Sequence, residues 1–218
     1  MVPKRKNSLG GGGAIPASAI VLGGGEGRRM GGNKLFLAVD GLLLLHCVLD
    51  RICPWFREVL LAVGPKDASS LSLLLEGRSW ASPVRVVVDR APGKGPLAGL
   101  VAGLREMDSP WAFLMGCDMP WIQEPLVRRM WALREREEGV LCWEREGYLE
   151  PLHAFYSRSC LPFAEEALAR KDHKLKSFYP QVPVQVVPEE AFADLPGHRR
   201  SFEGINTPLQ LERFRESR

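Results

Sequence analysis

The stretch from Ala19 to Lys34 constrains this chain more than any other. An apolar run, Ala19, Ile20, Val21 and Leu22, breaks into a loop holding Gly23, Gly24, Gly25, Gly27, Gly31 and Gly32. A short continuous apolar run closed by a turn signal reads as a buried strand. Glycines accept positive φ and let a ligand approach the backbone closely. Successive N–H groups in such a loop can converge on an anion. Arg28, Arg29 and Lys34 add positive charge. A strand, a glycine loop and a distal lysine offer a nucleoside triphosphate amide donors for its oxygens and a cation for its phosphates. A plain turn between strand and helix is the competing reading of the loop alone. Two familiar phosphate loops are excluded. The Gly-Lys-Ser/Thr ending of the P-loop is absent, and Arg28 stands where the dinucleotide fingerprint needs its third glycine.

The rest of the chain alternates between strand and helix patterns through its first half, which predicts parallel pairing. Asp40 and Gly41 turn the chain after Leu35–Val39. The apolar stretch from Leu42 to Ile52 predicts a buried helix ending near Pro54. Val59–Val63 predicts a second core strand, Ser69–Leu75 a short helix, and Val84–Val88 a third strand ending in Asp89. Leu97 opens helical spacing that runs through Leu104, and Trp111–Met115 predicts a further buried strand. Trp121–Glu138 predicts a helix, with Glu135–Glu138 as its solvated end. Gly139–Trp143 and Leu149–Tyr156 predict strands joined by a charged turn at Glu144–Gly147. A helix at Cys160–Ala169 and a strand at Val182–Val187 follow. Thr207 and Pro208 form a good helix start, as N-cap and first helical residue.

Several of these places carry chemistry as well as structure. Gly95 and Pro96 set a loop before the Leu97 helix, where Lys94 is placed to meet phosphate; Gly99 and Gly103 let that helix lie close against a neighbour. Asp118 follows a central strand, where α/β sheets bind ligands. Its carboxylate suits Mg²⁺, which binds through one or two carboxylates plus substrate phosphates; a turn or cap role before Pro120 is equally open. His153 sits in a strand, where a lone histidine reads as structural rather than as a base. Lys171, His173, Lys174 and Lys176 cluster before a strand, as a solvated face or as a seat for a phosphate-bearing substrate.

The chain has 218 residues, enough for one α/β domain with a substantial core, since 45% are hydrophobic and 25% charged. A net charge of +3 fits anionic small molecules and is too diffuse to argue for nucleic acid. The five cysteines form no C-x-x-C pair and read as reduced thiols, which places the protein in the cytoplasm. No apolar run is long enough to span a bilayer. Residues 1–14 read as a disordered basic and glycine-rich tail, and residues 15–218 as a single domain.

In order and spacing, Leu22 to Lys34 resembles the signature LAGGxSxRMGxxK of nucleotidyltransferases of the molybdenum cofactor guanylyltransferase (MobA) type. Gly23 replaces the alanine and Gly27 the small hydroxyl residue of that signature. Gly95-Pro96-Leu97-Ala98-Gly99 resembles a second hallmark of the family, Cys117-Asp118-Met119-Pro120 a third, and Phe202 to Pro208 resembles its ending F-x-N-I-N-T-P. Gly204 stands in place of the first asparagine there, and Asn206 matches the second. The resemblance implies a three-layer α/β Rossmann-like nucleotidyltransferase fold with a mostly parallel sheet. It implies transfer of GMP from GTP to molybdopterin with Mg²⁺ as cofactor. Relatives that use CTP for the same cofactor, or that act on another phosphorylated acceptor, share the loop and the metal aspartate; a non-catalytic nucleotide-binding protein would have lost Lys34 or Asp118. By this resemblance Lys34, Arg29 and Asp118 are catalytic, with Asp118 the metal ligand. Leu22, Gly23, Gly24, Gly25, Lys34, Asp89, Gly95, Pro96, Leu97 and Asp118 bind nucleotide. Glu150, Pro151, Lys174 and Asn206 are candidates for the acceptor site. GTP and molybdopterin are the implied partners, with other proteins of cofactor biosynthesis or acceptor proteins beside them, and no membrane or nucleic acid. The asparagine with which the family reads guanine at the end of the second core strand is absent, and Gly64 follows Val63 instead.

Overall fold

The computed structural model describes residues 13–23, 34–91, 93 and 95–217. In chain order the elements are β1 (Ile15–Leu22), β2 (Ala38–Val39), β3 (Leu42–Leu43), α1 (Leu44–Ile52), β4 (Phe56–Val63), α2 (Pro65–Leu75), β5 (Val84–Val88), α3 (Gly95–Glu106), β6 (Trp111–Gly116), α4 (Glu124–Ala132), β7 (Val140–Arg145), β8 (Tyr148–Ser157), α5 (Leu161–Ala169), β9 (Val184–Val187) and α6 (Pro208–Glu216). Short 3₁₀ turns fill several connections, among them Leu175–Gln181 and His198–Phe202.

β1 is an interior strand, third in a seven-stranded sheet of order β5-β4-β1-β6-β8-β7-β9. It pairs parallel with β4 on one side and with β6 on the other. β5 extends the parallel set, β8 runs antiparallel to both β6 and β7, and β9 is parallel to β7. A strand covered on both faces reads as an unbroken apolar run. In β1 the alternation only decides which layer each residue meets: Ala17, Ala19 and Val21 face α1, α2 and α4, while Ile20 and Leu22 face α3 and α5. This is the three-layer, mostly parallel fold expected from the sequence.

α3 owes its depth to two glycines. A Cβ on Gly103 would lie 2.5 Å from Ile20 Cδ1, and one on Gly99 would lie 2.5 Å from Leu22 Cδ2. The helix therefore rests directly on the central strand, so the tight-packing reading of the pair is correct. Two tight turns follow their sequence cues. Asp40-Gly41 joins β2 to β3 with φ of 50° and 81°, and Glu146-Gly147 joins β7 to β8 with φ of 50° and 80°. Positive φ at both central residues is the geometry whose twist matches paired strands. Thr207 caps α6 by accepting from the Gln210 N–H at 3.3 Å, with Pro208 next. No helix among the described residues is long and apolar enough to cross a membrane.

Other boundaries differ from the sequence pattern. The apolar stretch from Leu42 begins as a two-residue strand paired with β2 and turns helical only at Leu44. α2 begins at Pro65, where the proline sits at the start of the helix, rather than at Ser69. The helix expected over Trp121–Glu138 shrinks to Glu124–Ala132. Trp121 and Ile122 are buried in the preceding loop, and β9 ends the helix from outside. The Gln185 amide donates to the Leu133 carbonyl at 2.8 Å and accepts from the Glu135 N–H at 2.9 Å. Arg134 lies over the Trp131 and Trp111 rings at 4.2 and 5.3 Å. Tertiary partners outbid the helical register of the charged run.

At the sheet edge formed by the strand starts, one buried charge ties three elements together. The Glu58 carboxylate accepts from Ser18 Oγ at 2.6 Å, Arg85 Nη2 at 2.7 Å and the Asp108 N–H at 2.7 Å. Burial pushes the Glu58 carboxyl up, but its hydrogen bonds from Arg85, Ser18 and the Asp108 amide outweigh that and hold it below the usual carboxylate range. Glu58→Ala should cost about 2–4 kcal/mol, because it leaves a buried hydroxyl and a backbone N–H without an acceptor. Urea unfolding of the two proteins checks this. A loss under half a kcal/mol would show, on the order-of-magnitude scale of surface substitutions, that the knot is dispensable.

Candidate functional site

The chain runs from β1 outward to β4 and β5, and α3 then carries it back across to β6 on the other side of β1. Sheets with such a reversal open a crevice outside the carboxyl ends of the strands. The ends are locked together here. Gly23 N–H donates to the Ala62 carbonyl at 2.8 Å, Asp89 N–H to Val63 O at 2.7 Å, and Cys117 N–H to Leu22 O at 3.0 Å. Leu22, Gly23, Gly64, Asp89 and Asp118 therefore share one rim.

Asp118 follows β6 at this rim and is partly buried. Two glycines make room for its carboxylate. A Cβ on Gly116 would lie 2.6 Å from Asp118 Oδ1, and one on Gly204 would lie 3.3 Å from Asp118 Oδ2. Gly204 stands where the signature has its first asparagine. Its missing Cβ position is also 3.2 Å from Asn206 Nδ2, so Asp118 and Asn206 flank one point. The two segments are tied by the Ile205 N–H, which donates to the Asp118 carbonyl at 2.8 Å. The loop from Asp118 into α4 is held by the same C-terminal stretch. The Gln123 N–H donates to Ser201 Oγ at 3.1 Å, and the Gln123 side-chain amide to the Gly197 carbonyl at 3.0 Å. Sequence reading singled out neither Ser201 nor Gln123; contacts this distant along the chain leave no local signal.

The glycine loop itself, with Gly24, Gly25 and Arg29, lies outside the described residues, as does Lys94. Lys34 opens a 3₁₀ turn, Lys34–Phe36, and its side chain is also outside the description. What anchors the loop is visible on both sides. Leu35 is fully buried, and a methyl on Gly23 would lie 2.5 Å from Val63 Cγ1 and 2.8 Å from Leu35 Cδ2. The glycine that replaces alanine in the signature is matched by bulk in these two neighbours. The Gly23 N–H and the Leu22 carbonyl are both spent on the sheet.

Asp89 uses Oδ1 to accept from the Ala91 N–H at 2.7 Å. This is the turn role the sequence allowed, carried out at the rim. Gly95, with φ of 70°, starts α3, followed by Pro96 and the buried Leu97. A Cβ on Gly95 would lie 3.4 Å from the His173 carbonyl, so the basic cluster approaches the start of α3. Lys171, Lys174 and Lys176 are exposed there.

Glu150 pairs with Arg145 at 3.0 Å, and Pro151 lends its carbonyl to the Tyr156 hydroxyl at 2.8 Å. His153 is fully buried, and burial brings its imidazole down to about 4. It is neutral at ordinary pH and closed off from solvent, in line with the structural reading. Among the described residues no group of three or more His, Cys, Asp or Glu gathers as a metal cage. The site instead offers one hard carboxylate in a glycine cradle, which fits an ion that draws its remaining ligands from substrate phosphates and water.

Residues 19–186 match the family described as the MobA-like NTP transferase domain. A probable molybdenum cofactor guanylyltransferase of Pelotomaculum thermopropionicum is 34% identical over 203 residues, covering 92% of this chain and 93% of that protein. A molybdenum cofactor guanylyltransferase of Syntrophotalea carbinolica is 31% identical, covering 91% and 90%. The crystal structure of molybdopterin-guanine dinucleotide biosynthesis protein A from Archaeoglobus fulgidus is 27% identical with a TM-score of 0.75, covering 92% of this chain and 97% of that one.

Proposed function

The chain belongs to the MobA-like NTP transferase family and is a nucleotidyltransferase, and from that premise we propose that it transfers GMP from GTP to the phosphate of molybdenum-bearing molybdopterin. In this reading an oxygen of the molybdopterin phosphate attacks the α-phosphorus of GTP. The bond from that phosphorus to the oxygen bridging it to the β-phosphate breaks. Molybdopterin guanine dinucleotide forms and pyrophosphate leaves. The attacking phosphate is already ionised near neutral pH, so the step needs no general base. The barrier lies in bringing two anions together and in the charge growing on the leaving group; positioning and cations lower it.

The observation that carries this reading is the Asp118 carboxylate, set at the rim beside the end of β1 and cleared by Gly116 and Gly204. In the proposed roles, the amides of Gly24 and Gly25 hold phosphate oxygens, and Arg29 and Lys34 neutralise the triphosphate. Asp118, together with substrate phosphates, would hold a Mg²⁺, which when bound would supply further positive charge for the leaving pyrophosphate. Asn206 and the exposed Lys174 face the acceptor.

Pyrophosphate release with each NTP, in the presence of Mg²⁺ and molybdopterin, tests the nucleotide. Guanine presents two donors, N1–H and the exocyclic amine, to backbone carbonyl acceptors, whereas adenine presents an acceptor at N1. An unpaired buried polar group costs about 1–3 kcal/mol, so GTP should be preferred over ATP by roughly tenfold to over a hundredfold. Equal turnover of GTP and ATP, or a clear preference for CTP, would reject guanylyl transfer and leave the fold and family untouched.

A further inference from the structure

We infer that His153 is a positioning residue: its ring seats the Ser201–Phe202 turn, and through that turn it sets the backbone that closes over Asp118. The inference rests on the proposed role of Asp118 at the reaction centre and deepens it.

The argument starts in β8. On the β7 side, Phe155 pairs with Leu141 and Glu150 with Trp143, so residues 151–154 face the single residue Cys142. On the β6 side the ladder stops at Ala154, opposite Leu114. The strand therefore carries a large bulge just before the rim, and bulges of this kind re-aim side chains next to active sites. His153 occupies it with φ of 105°. That is a costly conformation for a ring-bearing residue, held only where the surroundings over-determine it.

The surroundings do so from both faces. On one side, the Tyr156 hydroxyl holds the Pro151 carbonyl and meets the Tyr179 hydroxyl at 2.8 Å. On the other side, the His153 ring packs on Phe202, with centroids 4.5 Å apart, and edge-on to Phe113 at 5.6 Å. Its Nε2 lies 3.4 Å from Ser201 Oγ. Phe202 is held in turn by Trp143, with ring centroids 3.9 Å apart.

From this point the path to the site is short and covalent. Ser201 Oγ receives the Gln123 N–H, which fixes the far end of the loop that starts at Asp118. Phe202 leads through Glu203 to Gly204 against the Asp118 carboxylate and to Ile205 on the Asp118 carbonyl. Strain at the bulge thus aims a ring at the one turn that braces both ends of the Asp118 loop. Glycine at 153 would relieve the strain and lose the brace.

The test uses the full chain with His153→Gly, His153→Gln and His153→Leu. Amide hydrogen exchange at Ile205 should rise by about tenfold or more in His153→Gly, with β1 and β4 amides unchanged. Turnover should fall by about tenfold while the GTP dissociation constant moves less than about twofold, the signature of lost placement rather than lost binding. Glutamine is long enough to carry its amide towards the Nε2 position and bond Ser201, so His153→Gln should restore part of both. If His153→Gly does not fold, His153→Leu carries the test: it fills the space but cannot bond Ser201, and it should also loosen Ile205 locally. Unchanged exchange at Ile205, or exchange raised equally across β1 and β4, overturns the inference. Failure of the Asp118 reading looks different: the exchange result stands, and Asp118→Asn still turns over normally.

Discussion

Asp118→Asn should leave a folded chain that still binds nucleotide and has lost on the order of a hundredfold or more of its Mg²⁺-dependent transfer rate. The amide has the shape of the carboxylate, so it fits the space that Gly116 and Gly204 leave open. The bond from Ile205 N–H is made to the backbone carbonyl of residue 118 and survives the change. The negative charge goes, and one acceptor oxygen becomes an amide nitrogen that donates. Charge on the departing pyrophosphate grows in the transition state, so the loss should fall on kcat more than on nucleotide affinity. Turnover and GTP binding measured on the same preparation separate the two. Wild-type turnover in the variant would show that Asp118 does not hold the ion.

Acidification from pH 7 to pH 5 should remove about 2 kcal/mol of stability through His153 alone. The imidazole is held at about 4 in the folded chain, by burial first and by the charge of Arg145 as well, against 6.5 when exposed. Between those values the unfolded chain binds a proton that the folded chain refuses. Stability from this group is therefore present above the unfolded value and falls as pH drops towards 4. Glu58, whose carboxyl is also depressed, adds loss in the same direction at lower pH. Net stabilities of domains are about 5–15 kcal/mol, so the effect is readily measured. Urea midpoints at pH 7 and 5 should converge for His153→Asn and separate for the wild type. Parallel losses in the two proteins would assign the acid sensitivity to another group.

The central strand, the parallel half of the sheet and the turns at Asp40-Gly41 and Glu146-Gly147 were legible because their causes are local. An apolar run needs cover on both faces, and a two-residue hairpin needs positive φ. Gly99 and Gly103 were readable as a helix that approaches a neighbour, though not as one resting on Ile20 and Leu22. The end of α4 was not legible, since Gln185 reaches it from a strand far along the chain. The site divides in the same way. Asp118 was readable from its place after a strand, and Asn206 from a motif. The cradle of Gly116 and Gly204 was hidden, because it forms only when β6 and the C-terminal stretch meet. His153 was set aside as a base, correctly, and the one mark of the bulge that gives it work was Pro151, which sits inside the interior strand β8 rather than at a strand start or edge.

That bulge has a consequence for how the protein can change over time. The start of β8, from Tyr148 to Glu150, is paired with β7 alone, and the ladder with β6 begins only at Ala154. Insertions or substitutions at the Glu146-Gly147 tip therefore fall first on the short pairing of Tyr148–Glu150 with β7, ahead of the bulge and of the register that positions β6. The rim on that side of the sheet can be remodelled by inheritance while the Asp118 end of β6 keeps its place, which gives a lineage a way to try new surfaces without dismantling its chemistry.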